Sequence, residues 1–220
     1  MKHLVIIGAG NFGREIFSWA VQCNEYNNDW NIKGFLDDRP NILEHFEGYG
    51  SIIGNVDNYI PEENDLFICA LGEPKQKEKY SSFILNRGGI FTNIIHPSAV
   101  IGMNVKFGKG IVVCPQTAIS CDVVLGSFVT LNIQSTIGHD SIIEDWCQIN
   151  TNCGINGYNH FYKSVYMGGN AVTLPHVEVG ENAVIGAGSV VLKKVRANET
   201  VFGNPAKPFK VQEINTNRNS

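Results

Sequence analysis

Apolar side chains recur at every sixth position from Ile95 to Val191, over more than a third of the chain. Thr173 is the one polar member of the series. The residue four places after each member is mostly small or β-branched, and glycine often follows the member directly. The series consists of Ile95, Ile101, Phe107, Val113, Ile119, Leu125, Leu131, Ile137, Ile143, Ile149, Ile155, Phe161, Met167, Thr173, Val179, Ile185 and Val191.

A period of six fits neither an α-helix, with its period of 3.6, nor an ordinary strand, with its period of 2. It is typical of a parallel β-helix, in which each hexapeptide forms one short flat face. The large aliphatic side chain then points inward, the small residue fills the narrow interior, and glycine relieves the corner. Three faces would form a coil of about eighteen residues, and coils would stack at roughly 4.8 Å. A sandwich of regular short strands is the alternative.

The first ninety or so residues follow a different pattern, in which short apolar strands alternate with helical spacing. The pattern predicts strands at 4–7, 32–36, 65–71 and 90–95, a helix after the glycine turn at 8–13, and a second helix from 74 to about 87. We therefore predict a small, Rossmann-like parallel α/β domain over residues 1–95. The β-helix and a C-terminal tail follow over residues 96–220, with the boundary near His96 and Pro97.

The composition narrows the classes of function. A chain of 220 residues with 43% hydrophobic content can form one large or two small domains. A net charge of −4 without a basic cluster argues against nucleic acid or an anionic membrane as the main partner. Six cysteines without CxxC spacing indicate buried thiols in a reducing compartment. The start lacks a signal-peptide pattern and no apolar run reaches about eighteen residues, so we expect a cytoplasmic protein.

The glycine turn is a candidate nucleotide site. Gly8, Gly10 and Gly13 match a dinucleotide fingerprint, and Asp37 follows at the distance expected of a ribose-binding acid. An NAD site is one interpretation, but the same turn and helix N-terminus can bind the diphosphate of a sugar nucleotide. The turn can also be merely structural. Asp37 and Asp38 suit hydrogen bonds to ribose hydroxyls or to a base imide, or they are a solvated pair at a strand end.

Seven motifs occur in order along the chain. They are GAGNFGRE at 8–15, GFLDD at 34–38, ALGEPK at 70–75, HPSAVIG at 96–102, IGHDSII at 137–143, IGAGSVV at 185–191 and GNPAK at 203–207. With these motifs the chain resembles the sugar-nucleotide acetyltransferases of the left-handed β-helix superfamily, which acetylate sialic acid, bacillosamine, perosamine and viosamine precursors. The resemblance implies left-handed coiling, a homotrimer with active sites between neighbouring β-helices, and acetyl-CoA as co-substrate.

The candidate catalytic pair is His139 and Asp140. Acetyl transfer to an amine needs a base that removes a proton as nitrogen attacks the thioester, and histidine suits that role near neutral pH. His139 occupies the third place of its hexapeptide, where a side chain can leave the core at a corner. Asp140 could fix the imidazole tautomer as a triad acid does. The resembled family places its base in this motif.

Binding residues are expected in both domains. We expect the nucleotide to bind at Gly10, Asn11, Phe12, Asp37, Asp38 and Gly72. Adding eighteen to 139 gives Gly157, which would leave space beside the base for a thioester or an amine. The resemblance implies donor contacts at Gly157, Gly169 and Ala187. Many relatives carry a second histidine nine residues after the base, where this chain has Gln148, which can still donate a hydrogen bond to the donor but cannot titrate.

The leading hypothesis is an N-acetyltransferase that acts on a nucleotide-linked amino sugar, such as a 4-amino-4,6-dideoxyhexose for surface polysaccharide of the lipopolysaccharide O-antigen type. O-acetylation of a sugar hydroxyl, as in sialic acid, is the second hypothesis, and a non-catalytic binding trimer is the third. No metal is expected, because His139, His160 and His176 show no ligand spacing. The sequence does not indicate which base the nucleotide carries. The aromatic segment 156–166 could shape either the acceptor pocket or a trimer contact.

Overall fold

The structure is a computed structural model, and it describes residues 1–209. The N-terminal part alternates strands with two helices because its apolar residues switch between strand and helical periods. None of the helices within residues 1–209 combines the length and the apolar character needed to cross a bilayer. The N-terminal elements are β1 (Lys2–Ile7), α1 (Asn11–Ala20), β2 (Trp30–Leu36), β3 (Ile52–Gly54), β4 (Asp65–Cys69), α2 (Pro74–Asn86) and β5 (Ile90–Phe91).

These strands form one parallel sheet in the order β3-β2-β1-β4-β5. The glycine turn follows the carboxyl end of β1, at the centre of the sheet. Gly13 allows helix α1 to approach this turn closely, because a Cβ at residue 13 would lie 2.0 Å from the carbonyl oxygen of Gly8. The polar residues that follow β2 and β4 therefore gather around the start of α1.

Two elements differ from the prediction. The strand expected over 90–95 is divided, because only β5 joins the N-terminal sheet. Asn93 ends this pairing: its Nδ2 donates to the carbonyl of Gly108 and its Oδ1 accepts from the N–H of Ile111. The following strand, Ile94–Ile95, already pairs within the β-helix. The edge strand β3 was not predicted, since its three residues are only half-buried and give no apolar pattern.

The β-helix has three faces, which we number in the order in which the chain meets them. Each strand contains only two or three residues, and the corner residues between strands form the turns. The first face comprises β6 (Ile94–Ile95), β9 (Val112–Val113), β12 (Thr130–Leu131), β15 (Gln148–Ile149), β18 (Tyr166–Met167), β21 (Val184–Ile185), β23 (Thr200–Phe202) and the antiparallel β24 (Lys207–Pro208). The second comprises β7 (Val100–Ile101), β10 (Ala118–Ile119), β13 (Thr136–Ile137), β16 (Gly154–Ile155), β19 (Val172–Thr173) and β22 (Val190–Val191). The third comprises β8 (Lys106–Phe107), β11 (Val124–Leu125), β14 (Ile142–Ile143), β17 (His160–Phe161) and β20 (Glu178–Val179).

The predicted register of the coils is confirmed. Thr136 pairs with Gly154, and Ile137 pairs with Ile155, so one coil contains eighteen residues. The sixfold apolar series lines the interior of the prism together with the small residues four places later. Thr173 is fully buried in this core, and its hydroxyl has no hydrogen-bond partner within residues 1–209.

Each hexapeptide places one corner residue in the left-handed region of backbone space, and most of these residues are not glycine. We name the corners by the faces they join. At the first corner, between the first and second faces, amides bond along the stack, as from Asn152 to Asn170 at 2.8 Å. The second corner, between the second and third faces, contains Asp140, and the third corner contains Phe128 stacked on Trp146 at 4.1 Å.

The N-terminal domain packs on the first face and the third corner of the β-helix. Phe91 contacts Phe128 edge to face, with ring centroids 4.9 Å apart. Lys77 of α2 is fully buried at this interface. Its Nζ donates to Oγ1 of Thr130 at 2.9 Å and to Oε1 of Gln148 at 3.0 Å, as well as to two backbone carbonyls. Burial without a carboxylate partner lowers the pKa of Lys77 to about 8.

The buried lysine predicts a pH dependence of stability. Between pH 8 and 10.5 the unfolded chain keeps a proton on Lys77 that the folded chain releases, so Lys77 contributes an increase in the free energy of unfolding with rising pH. We expect this contribution to be on the order of 2–3 kcal/mol across that window. The buried cysteines, whose pKa is raised, contribute in the opposite direction, so the Lys77 contribution is measured as a difference between variants. In Lys77→Met this contribution should disappear, whereas in Lys75→Met, changed at an exposed lysine of the same helix, it should persist. Urea unfolding at several pH values measures it, and an unchanged slope in Lys77→Met contradicts the prediction.

Candidate active site

His139 lies at the second corner directly after β13, and half of its side chain is exposed. Its Nδ1 is 2.8 Å from Oδ2 of Asp140, whose backbone φ of 57° turns the carboxylate toward the ring. A carboxylate acceptor at Nδ1 favours the tautomer whose lone pair is on Nε2. Within residues 1–209 no hydrogen bond involves Nε2. The two predicted catalytic residues therefore form an oriented imidazole with one free nitrogen.

Gly157 lies beside His139 one coil later, as the eighteen-residue spacing predicts. A Cβ at residue 157 would be 2.8 Å from both Cε1 and Nε2 of His139, and Gly157 is buried. The imidazole itself thus occupies the space that the sequence analysis assigned to a thioester or an amine. Gly157 accommodates the imidazole of His139, and this contact corrects the expectation that the glycine leaves open room beside it.

A shallow cleft of about 470 Å³ crosses the second face next to this corner. Gly138 and Asn156, the neighbours of His139 and Gly157, belong to its wall. The rest of the wall is largely apolar and includes Val100, Ala118 and Ile137. His139 itself does not line the cleft, which opens beside the corner that carries its side chain.

Gly169 and Ala187, the predicted donor contacts, stack at the first corner. The N–H of Gly188 donates to the carbonyl of Gly169 at 2.9 Å, which places the two turns one above the other. Among the contacts within residues 1–209, the N–H groups of Gly169 and Ala187 donate to no protein acceptor. Free amides along an open corner fit the amide groups of a pantetheine arm. In a single chain, however, they lie at the edge of the second face opposite to His139, so the structure does not bring them together.

Gln148 is not available to the donor. Only 1% of the residue is exposed, because helix α2 covers it. Its Oε1 accepts from Nζ of Lys77, and its Nε2 is 3.3 Å from Oδ1 of Asn150. A buried amide with both ends occupied cannot contact acetyl-CoA without moving the N-terminal domain. The predicted donor contact at Gln148 is therefore replaced by a contact between the domains.

A second cavity, of about 320 Å³, lies at the carboxyl edge of the N-terminal sheet. Asp37 and Asp38 both line it, together with Gly8. The Asp37 carboxylate is only 6% exposed and accepts from the N–H of Ala9 at 2.9 Å and from Nε and a terminal nitrogen of Arg39. Burial opposes its ionisation, but these hydrogen bonds outweigh burial and lower the pKa of Asp37. Asp38 is exposed and free to bind a ligand.

The other predicted nucleotide residues surround this edge with different exposure. Gly10 caps the N-terminus of α1 without a side-chain hydrogen bond, which leaves backbone N–H groups for an anion. Asn11 is exposed and accepts from Arg14, and Gly72 is exposed with open space around it. Phe12 differs, because its ring packs toward the core near Trp19 at 6.4 Å. A contact between Phe12 and a ligand is limited to its backbone or ring edge.

Three polar residues that line this cavity were not predicted from the sequence, namely Arg39, Gln76 and Tyr80. Gln76 and Tyr80 are four residues apart on α2, so they lie on one face of the helix. That spacing was readable once Pro74 had been taken as the helix start. Arg39 directly follows the aspartate pair, and its side chain is 65% exposed.

The remaining titratable residues of the described part of the chain form no second centre. The ring of His160 bonds Glu144 at 2.8 Å, and that of His96 bonds Ser98 at 2.7 Å. Within residues 1–209 no three His, Cys, Asp or Glu side chains are grouped as metal ligands. Five of the six cysteines are buried, as expected, and burial raises the pKa of Cys147 to about 12. Cys121 is the exposed one, which the sequence analysis did not distinguish.

Comparisons with known proteins agree with this architecture. Residues 3–83 match the family model of the PglD N-terminal domain. The chain is 31% identical over 215 residues to a GDP-perosamine N-acetyltransferase of Escherichia coli O157:H7, covering 93% of this chain and 95% of that protein. It is also 31% identical over 147 residues to a serine acetyltransferase of Buchnera aphidicola, covering 66% of this chain and 50% of that enzyme.

Solved structures give the same result for the fold. The acetyltransferase domain of PglB from Neisseria gonorrhoeae, in complex with acetyl coenzyme A, superposes with a TM-score of 0.86 at 26% identity, covering 94% of this chain and 99% of that one. PerB from Caulobacter crescentus, in complex with CoA and GDP-perosamine, shares the fold with a TM-score of 0.85 at 24% identity, covering 96% and 98% of the chains. The predicted α/β domain followed by a left-handed parallel β-helix is confirmed. The chain is an acetyltransferase and belongs to the sugar-nucleotide acetyltransferases of the left-handed β-helix superfamily.

Proposed function

We propose that this enzyme transfers the acetyl group of acetyl-CoA to the amine of a nucleotide-linked amino sugar. The observation that supports this most directly is the His139–Asp140 pair at an open corner beside a cleft. Acetyl-CoA supplies an activated acyl group, and the chain must bind both substrates and accept a proton. A 4-amino-4,6-dideoxyhexose destined for surface polysaccharide is the acceptor class that we favour from the family resemblance.

His139 is the general base of this proposal. Its Nε2 accepts the proton that the amine loses as nitrogen attacks the thioester carbon, while Nδ1 remains bonded to Asp140. The C–S bond breaks as the amide forms, and the imidazolium returns the proton to the departing thiolate, which leaves as CoA-SH. The carboxylate stabilises the imidazolium that forms and keeps the ring from rotating. Because the ring is half-exposed, an acceptor can reach Nε2 from solvent.

The nucleotide binds, in this proposal, at the cavity of the N-terminal domain. The free N–H groups at the start of α1 and the Arg39 guanidinium suit a diphosphate, and Asp38 offers acceptors to ribose or base. Asp37 acts indirectly, because it fixes both the Ala9 N–H and Arg39. This division differs from the sequence-based expectation that both aspartates contact the nucleotide.

Asp37→Ala should therefore weaken acceptor binding. Loss of the carboxylate frees the Arg39 side chain and removes the hydrogen bond that the N–H of Ala9 donates in the glycine turn. Because charge-assisted hydrogen bonds are lost, we expect the acceptor KM to rise roughly 10- to 100-fold. The KM for acetyl-CoA should not change. Initial-rate kinetics with each substrate varied in turn measures both values. An unaltered acceptor KM would place the nucleotide elsewhere.

We further propose that the active enzyme is a homotrimer. The base and the free amides of Gly169 and Ala187 lie at opposite edges of the second face. A neighbouring subunit that brings its first corner to the second corner of this chain would complete the site. The apolar outward residues of the second face, including Val100 and Leu174, suit such a contact.

Two more expectations are kept as proposals. The division into residues 1–95 and 96–220 agrees with the change of sheet after Asn93, and we propose it as the domain boundary. We propose a cytoplasmic location, which the six free cysteines support, because thiols persist in a reducing compartment.

A further inference from the structure

Two further rings, those of Tyr158 and His176, follow His139 along the second corner in the next two coils. The imidazole of His139 meets the ring of Tyr158 at a centroid distance of 5.0 Å and an interplanar angle of 89°. Tyr158 in turn lies parallel to the imidazole of His176, at 4.8 Å and 4°. Backbone bonds lock this spacing, since the N–H of Tyr158 donates to the carbonyl of His139 and that of His176 to the carbonyl of Gly157. We call these three rings the corner stack.

Tyr158 and His176 both adopt left-handed backbone angles, with φ of 59° and 63°. Gly, Asn, Asp and His are the residues found most often in this region, so Tyr158 is the unusual one of the two. The other aromatic pair in this conformation, Phe128 and Trp146, packs against the N-terminal domain, and Phe128 is 1% exposed. Tyr158 is 51% exposed. Within a single chain, burial therefore accounts for the aromatic residue at 128 but not for the one at 158.

The contact that Tyr158 does make is with the base. Asp140 holds one side of the imidazole at Nδ1, and the backbone of Gly157 lies next to Cε1 and Nε2. The Tyr158 ring packs against a further side of the His139 imidazole. Without this contact the half-exposed His139 side chain would change between rotamers in solvent. The edge-to-face arrangement is the favourable geometry for two aromatic rings.

We propose that Tyr158, backed by His176, is a positioning residue that holds the imidazole of His139 with Nε2 directed toward the acceptor. The proposal rests on the proposed role of His139 as the base. Tyr158 acts through His139 and need not touch either substrate. It also gives a role to one residue of the aromatic segment 156–166, since Tyr158 belongs to that segment and its ring contacts the imidazole edge to face.

The kinetic test compares two substitutions at one position. Tyr158→Asn removes the ring but keeps a residue that tolerates the backbone angle, so the fold and the melting temperature should be preserved. We expect kcat to fall about tenfold, with the KM of both substrates changed by less than about twofold. Tyr158→Phe keeps the ring and should restore kcat. His176→Asn should have a smaller effect in the same direction.

A second measurement does not depend on activity. In the wild-type protein the Tyr158 ring current should displace the proton resonances of the His139 imidazole, as seen in carbon-edited NMR spectra. Tyr158→Asn should abolish that displacement and should broaden or change the signal that reports the tautomer of the His139 ring. Tyr158→Phe should keep the displacement and the tautomer signal of the wild type. His139→Ala identifies the resonances.

The two measurements separate the possible failures. If kcat of Tyr158→Asn stays within about twofold of wild type, or if Tyr158→Phe loses as much as Tyr158→Asn, the positioning role is overturned. Unchanged His139 resonances in Tyr158→Asn overturn it as well. If the wild-type enzyme acetylates no amino sugar, the proposed function fails instead, and the NMR comparison still decides whether the ring is held.

Discussion

Replacing His139 with alanine is expected to lower kcat by roughly 10²–10⁴-fold, because the attacking amine then loses its proton acceptor. The affinity for acetyl-CoA should change by less than about twofold, since the free amides of the first corner do not depend on the imidazole. Steady-state kinetics and calorimetric titration with CoA measure the two quantities. His139→Ala with near-normal turnover would remove His139 from the role of base.

A matched control is available in His3→Ala. His3 is at the start of β1, where its ring bonds Asn31, far from the carboxyl edge of the sheet and outside the proposed machinery. This variant should keep its turnover and donor affinity. A similar loss in both variants would show that the assay reports general damage to the protein rather than removal of a base.

Gly157→Ala has the second largest expected effect. The new Cβ would lie 2.8 Å from Cε1 and Nε2 of His139, which is too close, so the imidazole must move. The neighbour that moves is the end of a flexible side chain, so the coil itself should fold normally. Displacing a catalytic group by about 1 Å costs on the order of 10²-fold, and we expect kcat to fall by roughly 10- to 100-fold. Kinetics together with the melting temperature measure the outcome.

The double variant provides the control for this prediction. If the added methyl acts only through the imidazole, Gly157→Ala should cause no further loss in a His139→Ala background, and the two effects should be strongly non-additive. Additive losses would mean that Gly157 contributes independently, for example through a direct donor contact. That result would restore the original expectation for this glycine.

The sequence was sufficient for the β-helix because every hexapeptide repeats one environment. Ile137 and Ile155 point into the same prism, and their spacing alone placed Gly157 beside His139. The corner position of His139 and its pairing with Asp140 could be predicted for the same reason. The period of six identifies the residues that point into each coil, and the position of a residue within its hexapeptide shows whether it lies at a corner.

Features that depend on the packing of one domain on the other were not readable. Gln148 has the same outward offset as Tyr166, which is half-buried, yet α2 covers Gln148 and inserts Lys77 beside it. No pattern within the repeat shows which face the N-terminal domain occupies. The division of the strand over 90–95 is similar, because it depends on the long-range bonds of Asn93 to Gly108 and Ile111. The ion pair between Arg39 and Asp37 differs, because it joins residues two positions apart in the sequence. Opposite charges at that spacing could have indicated it.

The most direct test of the central claim is an assay of the purified enzyme with acetyl-CoA and a panel of UDP-, dTDP- and GDP-linked amino sugars, with the corresponding hydroxyl sugars alongside. Each product is then exposed to mild base. The account predicts acetylation of at least one amino sugar, with a base-stable amide as product and with turnover that is lost in His139→Ala. Acetylation of the hydroxyl sugars alone, yielding a base-labile ester, or no acetylation of any amino sugar, would contradict it.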